Sequence, residues 1–370
     1  MKYVDINFSR PQTEIMRGVS IIFIMLHNLL HLYPGVLRES EFFYDFGAIS
    51  KFGEILGSGN LLAAWENIIS FLGWYGVPMF IFLSGFGLSK RYDGKPFETW
   101  AFIKRNWLKL VTLMSIGVFI FCVDQFITIL SQEHPQGWKI FLNFLIPLTC
   151  LNDLVQFRLD SIPGVYWYFG LAFELYVIYA LYLRIKSGGK VKNGSLLWGM
   201  TAICFIAVPF FWNWPFGFDP IKFQTYLRHN FVGWMLPFAA GIWIARNPRQ
   251  PLWGVIALCI VSVALFVPSL YSVWSWQLTS IFAVVIIAGI SIIFSKIPVF
   301  GRFWIWTGQL SAYLFVAHPI VRHLSRFWTF GDPDLMPVSV TCMLYVIAVF
   351  LAAILYRIAL RSVKAFLKLS

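Results

Sequence analysis

The sequence predicts an all-α integral membrane protein: one domain over residues 1–370, built as a bundle of about ten transmembrane helices with both termini cytoplasmic. Three observations predict it. Of 370 residues, 59% are hydrophobic and 12% charged, a balance outside the range of water-soluble globules. Apolar runs approaching the ~20 residues needed to cross a bilayer recur along the chain. Lys and Arg gather in every second connection, as the positive-inside rule requires.

The first span covers Glu14 to Tyr33, with Pro11 placed for a first helical turn and Pro34-Gly35 ending it. It is long, studded with polar residues and lacks a small-residue cleavage site, so it is expected to be retained rather than cleaved as a signal peptide. An acidic stretch of about thirty residues follows, holding Glu39, Glu41, Asp45, Glu54 and Glu66, and its balance places it outside. The second span runs from Asn67 to Ser89. After it comes the densest basic stretch, Lys90, Arg91, Lys95, Lys104, Arg105 and Lys109, which is assigned to the cytoplasm.

A third span covers Trp107 to Leu130 and carries Asp124. Residues 140–151 are apolar but short for a crossing, which predicts a re-entrant or interfacial piece. The fourth span, Val165 to Leu183, carries Glu174 and is followed by Arg184, Lys186, Lys190 and Lys192. Six further spans are expected near 195–212, 226–245, 251–268, 276–295, 303–320 and 337–357. Only Arg38, Lys51, Lys139, Arg158, Lys222, Arg228, Arg322 and Arg326 then lie outside, leaving 21 of the 29 Lys and Arg on the inner side. That asymmetry absorbs the net charge of +12, so nucleic acid is not needed as a partner; the lipid bilayer is. Trp212-Asn-Trp214 and Trp274-Ser-Trp276 fit interfacial aromatic belts. The five cysteines have neither CxxC nor zinc-ligand spacing and read as packing residues, with no metal site expected.

The first span holds the most informative residues. Arg17 and His27 lie ten positions apart, about 15 Å of rise with side chains roughly 80° apart around the axis. Singly, Arg17 can snorkel and His27 can bond a neighbouring helix. Together on one side of a span they predict a polar cavity, with Arg17 near its mouth and His27 deeper. Imidazole titrates near neutrality and can take a proton from a hydroxyl, so His27 is the best candidate base. His31, one turn on, is expected either to orient an acceptor or to face the outer boundary. Glu174 is a mid-span carboxylate, structural or catalytic. Asp124 reads as a structural partner, and His318 as an outer contact for an anionic or sugar-bearing acceptor or as a polar cap. Ser84-Gly85 reads as a helix-packing pair.

Taken in order, the Arg17-to-His27 spacing, Phe82-Leu-Ser-Gly-Phe86, Glu174 in an aromatic span and His318-Pro319 resemble membrane-bound acyltransferase family three, whose members O-acylate extracytoplasmic sugars. The resemblance covers nearly the whole chain and is to the stand-alone members. In Phe102-Ile-Lys-Arg-Asn-Trp-Leu-Lys109 the family's basic pattern is partly kept: Arg105 is present, while Lys109 replaces a usual arginine. The resemblance implies transfer of an acetyl or other short acyl group from acetyl-CoA or another acyl-CoA to a carbohydrate or lipid-linked glycan, in the plasma membrane or bacterial inner membrane. Arg17 and Arg105 are implied to hold the donor phosphates. His27 is implied as base or transient acyl carrier, Glu174 as its charge partner, and His31 and His318 as acceptor contacts. The rival expectation is a proton-coupled transporter or flippase, with Arg17, His27 and Glu174 as a relay.

Overall fold

A computed structural model describes residues 2–130, 137–151, 164–187, 194–212, 220–324 and 336–366. Among the expectations above, Arg158, Lys190, Lys192, Trp214 and Arg326 lie outside the described residues. The described chain is nearly all helical. It forms α1 (Arg10–Leu30), α2 (Phe46–Gly57), α3 (Leu61–Leu72), α4 (Gly76–Tyr92), α5 (Thr99–Leu130), α6 (Gly137–Thr149) and α7 (Trp167–Ser187). The later helices are α8 (Ser195–Trp212), α9 (Pro220–His229), α10 (Met235–Arg246), α11 (Leu252–Ser269), α12 (Thr279–Ser295), α13 (Pro298–Leu324) and α14 (Val338–Phe366). Among the described residues seven segments are long and apolar enough to cross a membrane: Arg10–Leu30, Leu61–Tyr92, Thr99–Ile127, Gly164–Lys186, Leu252–Ser269, Val273–Ser295 and Val338–Phe366.

Four expectations are refined. The all-α reading gains a small exception, an antiparallel pair of strands β1 (Tyr3–Asp5) and β2 (Arg249–Pro251), with Val4 opposite Gln250. The acidic stretch after α1 contains α2, started by the Asp45 carboxylate accepting from the Ala48 N–H at 3.1 Å. The single span expected over 226–245 is broken. Asn230 ends α9 and its side chain accepts from the Val232 N–H at 3.2 Å, so the chain restarts through a 3₁₀ turn before α10. Finally, α6 has thirteen residues, about 20 Å of helix against the ~30 Å of a hydrocarbon core.

The chain divides into two compact units. The first comprises residues 1–97 and 181–311 and is organised around α1, which packs on α3, α4 and α12. A capping box starts α1: Ser9 Oγ accepts from the Gln12 N–H at 3.4 Å and Gln12 Oε1 from the Ser9 N–H at 2.8 Å. Ile15, Met16 and Val19 of α1 then meet Met79, Phe82 and Leu83 of α4 and Val284 and Ile287 of α12. Helices α4 and α10 approach more closely, because a Cβ at Gly85 would lie 2.3 Å from the Phe238 carbonyl oxygen and one at Gly241 2.1 Å from that of Phe82. Ser84 donates to the Phe80 carbonyl of its own helix at 2.9 Å, which agrees with the packing role of Ser84-Gly85.

The second unit comprises residues 98–180 and 312–370. Its core joins Leu110, Met114, Val118 and Phe121 of α5 to Tyr166, Phe169 and Ala172, to Val316 and Ile320 of α13, and to Tyr356 and Leu360 of α14. Tyrosine hydroxyls tie it together. Tyr166 donates to the Val316 carbonyl at 3.0 Å and Tyr356 to that of Leu113 at 2.6 Å. Asp124 meets His323 at 2.8 Å, the structural partnership expected of it. No disulfide joins the five cysteines.

Candidate active site

His27 sits in the last turn of α1 and is 3% exposed. Its depth follows from a missing side chain: a Cβ at Gly73, in the 3₁₀ turn between α3 and α4, would stand 2.5 Å from the His27 Cβ and 2.6 Å from the Phe23 carbonyl oxygen. With hydrogen there instead, the turn closes onto α1, and His27 Nδ1 comes 2.5 Å from the Ser70 carbonyl oxygen. A carbonyl only accepts, so Nδ1 carries the proton and Nε2 keeps the lone pair. Nε2 faces the Glu41 carboxylate at 4.0 Å, and the His31 ring lies 4.0 Å away, centroid to centroid.

Glu41 arrives on the segment between α1 and α2, which is tied down from two sides. On the α3 side, the Leu37 N–H donates to Asn67 Oδ1 at 2.8 Å and the Ser70 hydroxyl donates to the Leu37 carbonyl at 2.7 Å. On the α9 side, the Tyr44 N–H donates to Gln224 Oε1 at 2.9 Å, Arg228 Nε donates to the Glu41 carbonyl at 2.8 Å, and the His229 ring stacks on Phe42 at 3.7 Å. Arg228 is buried among indoles, its guanidinium carbon 4.1 Å from the Trp234 ring centre and 4.7 Å from that of Trp276. Burial lowers it to about 10.

Beside it, Glu39 is 2% exposed and accepts from Trp74 Nε1 at 2.9 Å. Burial is the main cause that pushes its carboxyl up to about 8, and neighbouring Glu41 adds to it. Burial likewise pulls His229 down to about 4. Glu39 and His229 are therefore both uncharged at neutral pH.

Two turns into α1, Arg17 is about one-third exposed, and its Nη1 lies 3.3 Å from the carboxylate of buried Glu14 one turn earlier. Arg17 and His27 thus share one helix of the first unit. Arg105 is exposed on α5, Glu174 half-buried on α7, and His318 fully buried on α13, all in the second unit. There the His318 Nδ1 lies 3.2 Å from the Leu314 carbonyl, its Nε2 makes no hydrogen bond among the described residues, and its own carbonyl accepts from the Tyr345 hydroxyl at 3.1 Å. Among the described residues no three His, Cys, Asp or Glu cluster as metal ligands.

Three residues at this site were not singled out by the sequence: Glu39, Glu41 and Arg228. The two glutamates counted only as part of an acidic outer stretch, and Arg228 as one outer cation among eight. The available signal was the alternation Glu39-Ser-Glu41, with its carboxylates two apart.

A family profile described as "Acyltransferase domain" matches residues 11–357. The chain belongs to acyltransferase family 3. The match runs from one residue after the start of α1 into α14, so it takes in every residue just described, and membership makes this a multi-pass membrane acyltransferase domain. The chain is also similar to the GPI-anchored wall transfer protein 1 of Kluyveromyces lactis, 28% identical over 202 residues. That stretch is 51% of this chain and 39% of the yeast protein. No solved structure matches this acyltransferase family 3 chain.

Proposed function

We propose that this acyltransferase family 3 protein moves an acetyl or other short acyl group from acyl-coenzyme A to a hydroxyl of an extracytoplasmic carbohydrate or lipid-linked glycan. The observation that carries the reading is the 2.5 Å contact between His27 Nδ1 and the Ser70 carbonyl, which assigns the donor role to Nδ1 and the base role to Nε2. In the step, the acceptor hydroxyl gives its proton to Nε2 as its oxygen bonds the thioester carbon. The carbon–sulfur bond breaks, and the coenzyme thiolate takes the proton from the imidazolium.

Arg17 is assigned to the donor's phosphates, a charge-assisted contact suited to its planar fork. Glu14, pairing with it at 3.3 Å, keeps that side chain along the helix. His31 is assigned to the acceptor, on the strength of its ring lying against His27. The roles of Arg105 toward the donor, Glu174 as charge partner and His318 toward the acceptor rest on the family resemblance. Ten crossings and cytoplasmic termini rest on the apolar runs and the distribution of Lys and Arg, and residence in the plasma or bacterial inner membrane rests on the family resemblance.

The experiment is incubation of the purified full chain with acetyl-CoA and extracted surface glycans, following thiol release and glycan mass together. Both rise if the reading is right; glycan movement across vesicles without thiol release would instead favour transport. Arg17→Ala should raise the donor Kd at least about tenfold, the weight of one lost charge-assisted contact. An unchanged donor titration would remove Arg17 from that role.

A further inference from the structure

We propose that Glu41 is a positioning residue for His27, stabilising the imidazolium that forms when Nε2 takes a proton, and that Arg228 holds Glu41 in place. This rests on reading His27 as the base.

The geometry assigns the two glutamates different tasks. Glu39 is enclosed, with an indole N–H on its carboxyl group. The Glu41 side chain keeps 17% of its surface and turns a carboxylate oxygen to His27 Nε2 at 4.0 Å. Before proton transfer two lone pairs face each other across that distance. Afterwards an N–H cation faces a carboxylate, so the contact is worth more once the proton has moved, which is the condition for assisting the step. Glu41 neither gains nor loses an atom. The other titratable groups around this node are His31 on α1, Glu39 beside Glu41, Tyr75 in the turn before α4, and Arg228 and His229 on α9.

The anchoring comes from α9, an element outside the first span. Gln224 and Arg228 lie four residues apart and share a face, and His229 follows Arg228 at the end of α9. They fasten Tyr44, Glu41 and Phe42 by a hydrogen bond, a hydrogen bond and a ring stack. Arg228 directs its Nε to the Glu41 carbonyl and its Nη1 to the Gly233 carbonyl at 2.8 Å each, and lies against Trp234 and Trp276. It thereby fixes the backbone of Glu41 while the carboxylate remains turned toward the imidazole. A lysine has no fork to reach both carbonyls.

Diethyl pyrocarbonate tests this without donor or acceptor. It reacts with the neutral imidazole nitrogen and not with the protonated ring, and peptide fragmentation separates His27 from His31. With the full chain in detergent, Glu41→Gln should label His27 about five- to tenfold faster than the parent at about pH 6, because the carboxylate no longer favours the unreactive cation. Glu41→Asp, which keeps the charge, should stay near the parent rate, and Arg228→Lys should move toward the Gln variant. At about pH 9, where the rings are neutral, all four should label alike. Equal rates for Gln and parent at the lower pH, or a Gln rate raised equally at both, would overturn the role of Glu41. An Arg228→Lys rate equal to the parent's would overturn the anchoring. Labelling without the predicted difference removes this inference alone, whereas near-parental acyl transfer by His27→Ala would remove the base reading and this inference with it.

Discussion

At the scale of single residues, the chemistry of His27 depends on a backbone atom. The Ser70 carbonyl that takes its Nδ1 proton survives any side-chain change at position 70, whereas the hydroxyl of Ser70 bonds the Leu37 carbonyl and helps deliver Glu41. Glu39 offers a separate residue-scale test. Its carboxyl is raised from its ordinary 4.5 to about 8, so between those values the folded chain holds a proton that the unfolded chain has released. Stability must therefore fall as pH rises through that window and level off above it. His229, depressed from 6.5 to about 4, acts in the opposite sense: its contribution is present above 6.5 and is lost as pH falls toward 4. Above pH 6.5 the His229 effect is complete while the Glu39 effect continues to about pH 8. Thermal unfolding in detergent should thus show the parent less stable at pH 8 than at pH 6.5, by on the order of 1–2 kcal/mol. Glu39→Gln, which cannot ionise, should lose that difference, and an identical pH response in the variant would refute the buried, protonated carboxyl.

At the scale of elements, the site depends on how closely the turn after α3 approaches α1. Gly73→Ala would put a methyl 2.5 Å from the His27 Cβ and 2.6 Å from the Phe23 carbonyl oxygen, so backbone must move. A cost of about 1–3 kcal/mol is expected from the overpacking, together with loss of transfer, because the Ser70 carbonyl shifts with the turn. Gly241→Ala, which crowds the Phe82 carbonyl on α4 instead, should cost similar stability while leaving more activity. Equal activity losses in the two would mean that the turn has no special hold on His27. These contacts also mark what the sequence could reveal. The first span was legible because Arg17 and His27 are expensive in an apolar helix and sit ten residues apart. The break at Asn230 was not, because Phe231 to Ala245 is apolar throughout and a cap followed by a 3₁₀ turn leaves the hydropathy unchanged. Nor was α9 legible as an anchor: a helix ending in Arg228-His229 reads as an outer basic end until the Glu41 carbonyl and the Phe42 ring are found against it.

At the scale of the whole molecule, family and membrane class were legible, since motifs in order and the asymmetry of Lys and Arg are linear properties of the chain. The pairing of Glu41 with His27, fourteen residues apart and in different elements, is a property of the fold. The number of crossings is open to test by single cysteines in the basic stretch between α4 and α5, at Lys186 and at Lys364. An impermeant thiol reagent should modify all three only from the cytoplasmic side, and labelling of Lys364→Cys from outside would put the carboxyl end on the other face. The central claim, that this domain transfers an acyl group with Nε2 of His27 as base, is tested most directly by thiol release from acetyl-CoA in the presence of extracted surface glycans, comparing parent with His27→Ala. The parent should release thiol in step with acylated glycan. His27→Ala should elute as a folded protein and fall by at least about a hundredfold, and near-parental turnover in that variant would contradict the account.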